Sequence, residues 1–276
     1  MTISIEAIST NLEMREPGIW FAKSQSSISY PEHARSWCFE VEQYSFWFRH
    51  RNRCIGAALK RFPPAGPVFD IGGGNGFVTR AISDLGFEAV LVEPGIGGIR
   101  NAVARGLNPV ICATLEDAGF LPQTLPAAGM FDVIEHVADD QSFLRTVHHL
   151  LMPGGRLYIT TPAYNVLWSD EDDYAGHYRR YTRHTLTRTL ASAGFRIEYM
   201  TYVFAILPLP IFVLRSLPCR LGLRRGISID QERREHRPME GIAGRMVELL
   251  FAAELRAICR GSSIPFGGSC LAIACT

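Results

Sequence analysis

Residues 67–78 read Pro-Val-Phe-Asp-Ile-Gly-Gly-Gly-Asn-Gly-Phe-Val, and this stretch decides the fold. A short apolar run ends in an acid, Asp70, before a cluster of glycines, and apolar residues then recur at helical spacing from Val78. That order predicts a strand, a tight turn and a helix. Glycine allows positive φ and lets the backbone come close to a ligand, while the following helix directs its positive end into the same space. The stretch therefore predicts a site for a small ligand that is at least partly polar.

The composition is that of a globular protein. The chain has 276 residues, of which 47% are hydrophobic and 20% charged, which suits one large domain or a domain with an insertion and argues against extended disorder. Its 28 basic and 27 acidic residues leave a net charge of +1, so no overall field favours nucleic acid. The seven cysteines include no Cys-x-x-Cys pair, which is typical of a reduced cytoplasmic protein.

The N-terminal residues and the longest apolar run do not predict membrane insertion. Residues 1–16 lack a basic region followed by an apolar core, so we expect no signal peptide. The longest apolar run, 202–214, contains two prolines and is shorter than the about 20 residues that a membrane-spanning helix needs.

The first 62 residues predict an N-terminal arm and a helical lid. Residues 1 to about 30 show little pattern and are interpreted as a partly ordered arm. From 31 to 61 apolar residues fall at helical spacing, which predicts two helices that end before a Pro-Pro pair. The aromatic run at 44–49 either packs in the core or belongs to a lid, with Trp47 and Arg49 closing over the glycine loop.

Strands and helices alternate after the glycine loop, which predicts a parallel sheet with right-handed crossovers. The second strand ends in an acid, Glu93, which lies 17 positions beyond Gly76. The predicted strands lie at 67–70, 88–93 and 109–113, from 127 onwards, and at 156–161, 195–203 and 268–275.

An insertion is expected before the last strand. Two helices are predicted near 204–220 and 244–260, joined by a charged linker at 224–237. We therefore divide the chain into an arm and lid at 1–62, a cofactor-binding core at 63–203 plus 262–276, and a helical insertion at 204–261.

A glycine turn that follows a strand can bind a phosphate group, a dinucleotide or a cationic small molecule. A phosphate-binding loop needs Lys-Ser or Lys-Thr after its glycines, and Phe77-Val78 excludes it. A dinucleotide fingerprint has the spacing Gly-x-Gly-x-x-Gly, whereas Gly72, Gly74 and Gly76 are spaced Gly-x-Gly-x-Gly. The acid ahead of the loop suits a cationic ligand, and an acid in the position of Glu93 commonly accepts hydrogen bonds from ribose hydroxyls.

Four motifs together resemble those of class I S-adenosylmethionine-dependent methyltransferases. They are the glycine motif at 70–76, the ribose acid Glu93, the fourth-strand motif at 131–136 and the Leu-Met-Pro-Gly-Gly turn at 151–155. The resemblance covers about residues 35–200 and the final strand. It implies S-adenosylmethionine as the cofactor and an α/β fold, a doubly wound, seven-stranded Rossmann-like sheet whose last strand is antiparallel.

The resemblance also implies roles for individual residues. Asp70 would lie near the amino end of the methionine moiety, Glu93 would hold the ribose, and Met130 and Phe131 would flank the cofactor. Gly73 departs from the relatives, which often have Cys there, but we expect no effect because that position contributes mainly backbone. The residues expected to contact the cofactor are Trp47, Arg49, Asp70, Gly72, Gly73, Gly74, Asn75, Glu93, Pro94, Thr114, Leu115, Met130 and Phe131.

Methyl transfer to a hydroxyl usually needs a base or a metal ion that makes the oxygen nucleophilic. His136 follows the fourth strand, and His177 lies in the polar segment after strand five, so both are expected at the sheet edge where such folds bind ligands. We expect both histidines to be catalytic, and a structural role is the alternative for each. O-methylation is the expected reaction, with N-methylation as the alternative.

Asp132-x-x-Glu135-His136 together with His177 is similar to the ligand set of metal-dependent O-methyltransferases, including those of ubiquinone biosynthesis and of small-RNA ends. The similarity implies that these four residues bind Mg²⁺, Mn²⁺ or Zn²⁺, which carboxylates and imidazoles suit. The same acid and histidine can serve as capping and packing groups, and the Glu-His pair also occurs in metal-free relatives. A metal-free site is therefore the alternative.

The acceptor is expected to be a small molecule, including a lipid-like one. Trp168, Tyr178, Arg179 and Tyr181 are the candidate substrate residues. The apolar insertion at 204–261 suits a pocket wall, a homodimer interface or a shallow contact with a membrane. Nucleic acid is not expected, because no basic face with interleaved aromatics extends beyond the polar segment. A non-catalytic cofactor-binding protein of the same fold is the second function class, and a nicotinamide dehydrogenase the third.

Overall fold

The computed structural model describes residues 4–24, 39–223 and 241–276. The charged linker predicted at 224–237 lies outside the described residues. Short 3₁₀ turns lie at Ile134–His136 and Asn165–Leu167, and a π-helical turn at Phe212–Ser216 joins α8 (Pro208–Ile211) to α9 (Leu217–Arg220). The other helices are α1 (Ile5–Ile8), α2 (Phe46–Arg61), α3 (Phe77–Asp84), α4 (Ile96–Ala104), α5 (Asp140–Leu150), α6 (Asp170–Ala175), α7 (Arg183–Ser192) and α10 (Gly241–Arg260).

The strands are β1 (Leu12–Glu16), β2 (Ile19–Ala22), β3 (Val68–Ile71), β4 (Ala89–Val92), β5 (Val110–Cys112), β6 (Leu125–Phe131), β7 (Leu151–Pro162), β8 (Arg196–Val203) and β9 (Ser269–Cys275). They form one sheet in the order β1-β2-β5-β4-β3-β6-β7-β9-β8. Strands β2 to β7 pair in parallel, and β9 lies antiparallel between β7 and β8. The doubly wound sheet with an antiparallel last strand is confirmed.

Strand β3 lies where the strand order reverses, with β4 on one side and β6 on the other. Val68 and Phe69 are both fully buried although they point to opposite faces, because helices cover the parallel strands on each side. Ligands of such sheets bind outside the carboxyl ends of the strands at this reversal. The glycine loop after β3 and the segments after β6 and β7 therefore open onto one edge.

The N-terminal segment differs from the prediction, because part of it joins the sheet. Strands β1 and β2 form a hairpin, and Ile19 of β2 pairs in parallel with Val110 of β5. The sheet thus has nine strands in the described residues rather than the seven expected. Leu12 and Trp20 are buried in the main core, and Gly18 adopts a φ of 76° in the turn between the strands. Burial against β5 stabilises a segment whose own sequence pattern is weak.

The two helical stretches predicted for the insertion are present, and the second one packs on α2. Glu254 of α10 lies 2.9 Å from His50 Nε2, and its carboxylate accepts hydrogen bonds from the backbone N–H groups of Phe204 and Ala205 at 2.9 and 2.6 Å. Phe251 stacks on the His50 ring at 3.7 Å between centroids. One buried carboxylate therefore ties α10 to α2 and to the end of β8.

Among the described helices, none combines the length and the apolar character needed to cross a bilayer. The division of the chain into lid, core and insertion stays a prediction.

We predict that Glu254→Ala destabilises the fold. The change leaves two backbone N–H groups and the buried His50 ring without their carboxylate, which is expected to lower the free energy of unfolding by about 3 kcal/mol in chemical denaturation. Glu248→Ala, on the same helix, is the control. Glu248 pairs with Arg53 on the surface at 3.1 Å, and losing it should change stability by less than about 1 kcal/mol. Equal stability of the two variants would contradict this role of Glu254.

Candidate active site

The glycine loop between β3 and α3 is shaped for close approach to a ligand. Gly72, Gly74 and Gly76 have φ values of 70°, 56° and 72°, a region that favours glycine. A Cβ on Gly74 would meet no atom of the described residues within 4 Å, so this position faces open space among them. A Cβ on Gly73 would lie 2.4 Å from Leu91 Cδ1 and 2.6 Å from Asp70 Oδ2. A side chain at Gly73 would therefore need the Leu91 and Asp70 side chains to move. The expectation that glycine at this position does not affect the site stays a prediction.

Glu93, the predicted ribose acid, follows β4 and is buried against the loop. Its carboxylate accepts hydrogen bonds from the Gly74 N–H at 3.0 Å and the Gly95 N–H at 2.8 Å. A Cβ on Gly98 of α4 would lie 2.6 Å from the Gly74 carbonyl oxygen, so α4 also packs directly on the loop. These contacts fix the distance between the loop and the carboxylate.

Asp70 is a fully buried carboxyl at the end of β3. Its Oδ2 accepts the Thr79 hydroxyl at 2.5 Å, and its Oδ1 has no hydrogen-bond partner among the described residues. Burial raises the pKa of Asp70 to about 6, although the Thr79 hydrogen bond and the charge of Arg51 oppose the rise. A buried carboxylate oxygen that accepts no hydrogen bond from the described residues suits a cationic group of a bound ligand.

Arg51, rather than the predicted Arg49, is the arginine of α2 that faces the site. Arg49 is exposed, whereas Arg51 is buried and donates from Nη1 to Asp132 Oδ2 at 2.5 Å. Its guanidinium lies over the rings of Trp47 and Phe48 at 4.9 and 5.1 Å, and its Nε has no partner among the residues described. Trp47 and Arg51 are four residues apart, so helical spacing could have identified Arg51.

The Trp47 ring forms part of the same wall as Arg51. It stacks on Phe204 at 5.4 Å with an interplanar angle of 3°. Because the Phe204 backbone is bound by Glu254, the insertion helix α10 contributes to the position of Trp47.

The side chain of Asn75 holds neighbouring elements to the loop. Its Nδ2 donates to Glu42 at 3.3 Å, and its Oδ1 accepts from Asn101 at 2.9 Å. Arg105 donates to the Asn75 carbonyl at 3.0 Å and to Glu42 at 2.7 Å. Burial raises the pKa of Glu42, and Arg105 opposes that rise. Contact of Asn75 with the cofactor stays a prediction.

The other predicted cofactor residues follow β4, β5 and β6. Leu115 and Met130 are buried in the main core, and Phe131 is buried in the cluster that contains Val68. Thr114 Oγ1 accepts the Asp117 N–H at 3.0 Å, and Pro94 is partly exposed beside Glu93. Their contact with the cofactor likewise stays a prediction.

A second polar cluster lies at the carboxyl ends of β6 and β7. One ligand atom each from Glu135, His136 and His177 lies within 4.8 Å of the others, and the two rings are edge-to-face at 4.6 Å between centroids. The structure thus brings together the two predicted catalytic histidines and three of the four predicted metal ligands. Asp132, the fourth, lies outside this cluster because Arg51 and the Thr160 hydroxyl hold its carboxylate, at 2.5 and 3.1 Å.

Glu135 is fully buried, and neither of its carboxylate oxygens has a hydrogen-bond partner in the described part of the chain. Burial raises the pKa of Glu135 well above its ordinary value, and the nearby Asp132 adds to the rise. Burial also lowers the pKa of His136 to about 4, with His177 contributing to the shift. The cluster therefore holds a neutral imidazole beside a carboxyl group to which no described residue donates a hydrogen bond.

Asp172, which the sequence did not identify, orients His177. Its Oδ1 lies 2.8 Å from His177 Nδ1, and Arg180 donates to both carboxylate oxygens at 2.7 and 2.9 Å. Burial by itself would raise the pKa of Asp172, but these hydrogen bonds keep it below the ordinary value. With Nδ1 taken by Asp172, Nε2 is the nitrogen of His177 left to face the cluster.

The candidate substrate residues divide into two pairs. Arg179 and Tyr181 both bind Asp140 at the start of α5, at 2.8 and 2.6 Å, which gives them a structural role. Tyr178 is exposed, and Trp168 donates from Nε1 to Asp173 at 3.0 Å. Contact of any of the four with an acceptor stays a prediction.

Comparison with known proteins identifies the family. A family model described as a methyltransferase domain matches residues 42–199, more than half of the chain. The ubiquinone biosynthesis O-methyltransferase of Caulobacter vibrioides is 33% identical over 105 residues, which cover 34% of this chain and 40% of that protein. The human mitochondrial ubiquinone biosynthesis O-methyltransferase is 30% identical over 103 residues, which cover 34% of this chain and 28% of that protein. The chain thus matches less than half the length of these relatives.

Solved structures share the fold. Phosphoethanolamine N-methyltransferase 2 of Haemonchus contortus, solved with S-adenosyl-L-methionine, superposes with a TM-score of 0.54 at 18% identity, covering 93% of this chain and 61% of that one. A methyltransferase of Archaeoglobus fulgidus gives 0.52 at 16% identity, covering 87% and 100%. The matching domain, the sheet order and the glycine loop agree, and the chain therefore belongs to the class I S-adenosylmethionine-dependent methyltransferases.

Proposed function

We propose that this methyltransferase transfers the methyl group of S-adenosylmethionine to an oxygen atom of a small-molecule acceptor held beside Glu135, His136 and His177. The observation that carries the proposal is a fully buried carboxyl group without a hydrogen-bond partner among the described residues, placed next to two imidazoles. The cluster lies at the sheet edge where this fold binds its ligands. The relatives that are O-methyltransferases in ubiquinone biosynthesis support oxygen as the acceptor atom.

The glycine loop and the residues around it would hold the cofactor. Within the described parts of the chain, the space at Gly74 is open and Oδ1 of Asp70 has no hydrogen-bond partner, which fits a bulky cationic ligand. The methionine end of the cofactor carries an ammonium and a carboxylate group, and Asp70 and Arg51 offer the opposite charges. The buried guanidinium of Arg51 has a fork of donors that matches a carboxylate. Glu93 would hold the ribose hydroxyls from the neighbouring strand.

The acceptor cluster has the composition of a divalent-metal site. One carboxylate and two imidazoles suit Mn²⁺ or Zn²⁺, and Mg²⁺ with added water ligands. The carboxylate behind His177 is the usual outer partner of a metal-binding histidine. A bound divalent cation would lower the pKa of an acceptor hydroxyl that coordinates it. In the alternative without a metal, His136 would accept the proton of the acceptor hydroxyl.

Removal of divalent cations with a chelator tests whether the activity needs a metal ion. Dialysis against a chelator is expected to reduce turnover of labelled S-adenosylmethionine over a panel of hydroxyl-bearing acceptors on the order of 100-fold, with recovery on adding Mg²⁺, Mn²⁺ or Zn²⁺. His177→Ala should lose activity to a similar extent and bind the cofactor normally. The control, His184→Ala, removes an exposed histidine of α7. Full turnover in chelator would remove the metal from the proposal, and cofactor binding without turnover on any acceptor would favour a non-catalytic protein.

Arg51 and Arg49 form a matched pair for the cofactor site. Arg51→Lys keeps the positive charge but loses the planar fork, so the dissociation constant for S-adenosylmethionine in calorimetry should rise about tenfold or more. Arg49→Lys changes an exposed residue of the same helix turn and should leave the affinity within about twofold. If the weaker binding follows Arg49 instead, the assignment of Arg51 is wrong.

The raised pKa of Asp70 predicts how cofactor affinity depends on pH. Because its pKa is raised to about 6, the carboxylate gains a proton as the pH falls through that value and no longer attracts a cation. The affinity for S-adenosylmethionine should therefore be constant above pH 7 and fall below pH 6, approaching about tenfold per pH unit. Asp70→Asn should bind more weakly with a flat profile over the same range. An unchanged slope in that variant would assign the titration to another group.

A further inference from the structure

The first helical stretch of the insertion, at 208–220, presents a row of apolar side chains to solvent. Leu209, Val213, Leu217 and Leu221 recur every four residues, and Leu209 and Leu221 are 71% and 65% exposed. Spacing of four places them along one side of a helix. Scattered exposed leucines are common on proteins, but a continuous row marks an interaction surface.

Helix α10 has an outward apolar face of the same kind. Phe251, Glu254 and Ile258 are buried on its inner side, where the helix packs on α2. Ile242 and Leu249 on the outer side are 78% and 68% exposed, and Met246 and Leu250 are also exposed. We call the two apolar rows, on 208–221 and on α10, the insertion surface.

The net charge of the insertion favours a negatively charged partner. Residues 204–223 and 241–261 contain five arginines and two acids, a net charge of +3, whereas the whole chain carries +1. Arg220, Arg245, Arg256 and Arg260 are exposed. Both acids are engaged, since Glu254 is buried in hydrogen bonds and Glu248 pairs with Arg53. The insertion surface is therefore apolar with exposed positive charge beside it.

That combination fits an anionic lipid surface better than a second copy of the chain. Helices that lie in a bilayer interface pair an apolar face with basic residues, which anionic headgroups attract. In a two-fold dimer the same patch meets itself. The exposed arginines would then face one another with few acids to balance them. A surface contact also agrees with the finding that no described helix is able to span a bilayer.

The 208–220 part of the insertion surface lies next to the segment that orients His177. Arg215 pairs with Glu171 of α6, and Arg220 donates to the Val166 carbonyl at 3.0 Å. The stretch 208–220 therefore packs on the segment that carries Asp172, whose carboxylate orients His177. We propose that the insertion surface docks this protein on anionic lipid bilayers, with the acceptor cluster beside the membrane interface.

Vesicle flotation tests the proposal with the full chain. The wild-type protein should float with vesicles of phosphatidylcholine and phosphatidylglycerol, and bind vesicles of phosphatidylcholine alone roughly tenfold less. The variant Leu209→Ser, Val213→Ser, Leu217→Ser, Leu221→Ser should lose binding to both. The matched control changes four exposed apolar residues elsewhere, Met14, Val103, Leu121 and Met152, to Ser and should float like the wild type.

A charge variant keeps the test decisive if the serine variant does not fold. Arg245→Gln with Arg256→Gln leaves the apolar rows intact and should weaken binding to the anionic vesicles alone. Absence of flotation, flotation that ignores lipid charge, or equal flotation of the folded serine variant would overturn the proposal. So would a dimer in light scattering that forms without lipid and dissociates in the serine variant, because the insertion surface would then be a protein interface.

Discussion

The candidate site depends on the interaction of the positively charged Arg51 side chain with the buried carboxyl groups around it. Burial raises the pKa of Glu42, Asp70 and Glu135, and the Arg51 charge opposes the rise in each of them while its guanidinium pairs with Asp132. Buried charges persist only where they are paired or hydrogen-bonded. Arg51 comes from α2, outside the sheet. The buried carboxyl groups at the sheet edge therefore have this balancing positive charge only when α2 is packed in place. The contact between His50 of α2 and Glu254 of α10 holds α2 there.

The two halves of the site meet at the end of β6. In the proposed site, the glycine loop, Asp70 and Arg51 would form the cofactor half, and Glu135, His136 and His177 would form the acceptor half. Asp132 lies between them and binds Arg51 instead of joining the histidines. A methyl transfer is an in-line displacement whose rate depends on positioning. The end of β6 carries Asp132, the partner of Arg51, followed by Glu135 and His136. Placing them on one strand end is a suitable way to fix that distance.

Local sequence was enough to predict the parts of the structure that depend on local conformation. The glycine turn after β3, the acid after β4 and the two histidines at adjacent strand ends all follow from short motifs and the alternation of strands and helices. Arg51, Asp172 and the β1–β2 hairpin were missed because each is defined by contacts distant in sequence: Asp132 with Arg51, Arg180 with Asp172, and β5 with β2. The crowding around Gly73 likewise depends on Leu91 in the neighbouring strand.

The most direct measurement of the central claim is anomalous diffraction from crystals grown with Mn²⁺ and S-adenosylhomocysteine. We predict a manganese peak about 2.0–2.2 Å from one atom each of Glu135, His136 and His177, the distance at which carboxylates and imidazoles bind divalent metals, with the sulfur of the product between the glycine loop and that peak. A crystal in which the sulfur of the bound product lies remote from Glu135, His136 and His177 would contradict the account. Product in place without manganese at these three residues would leave only the metal-free form of the proposal.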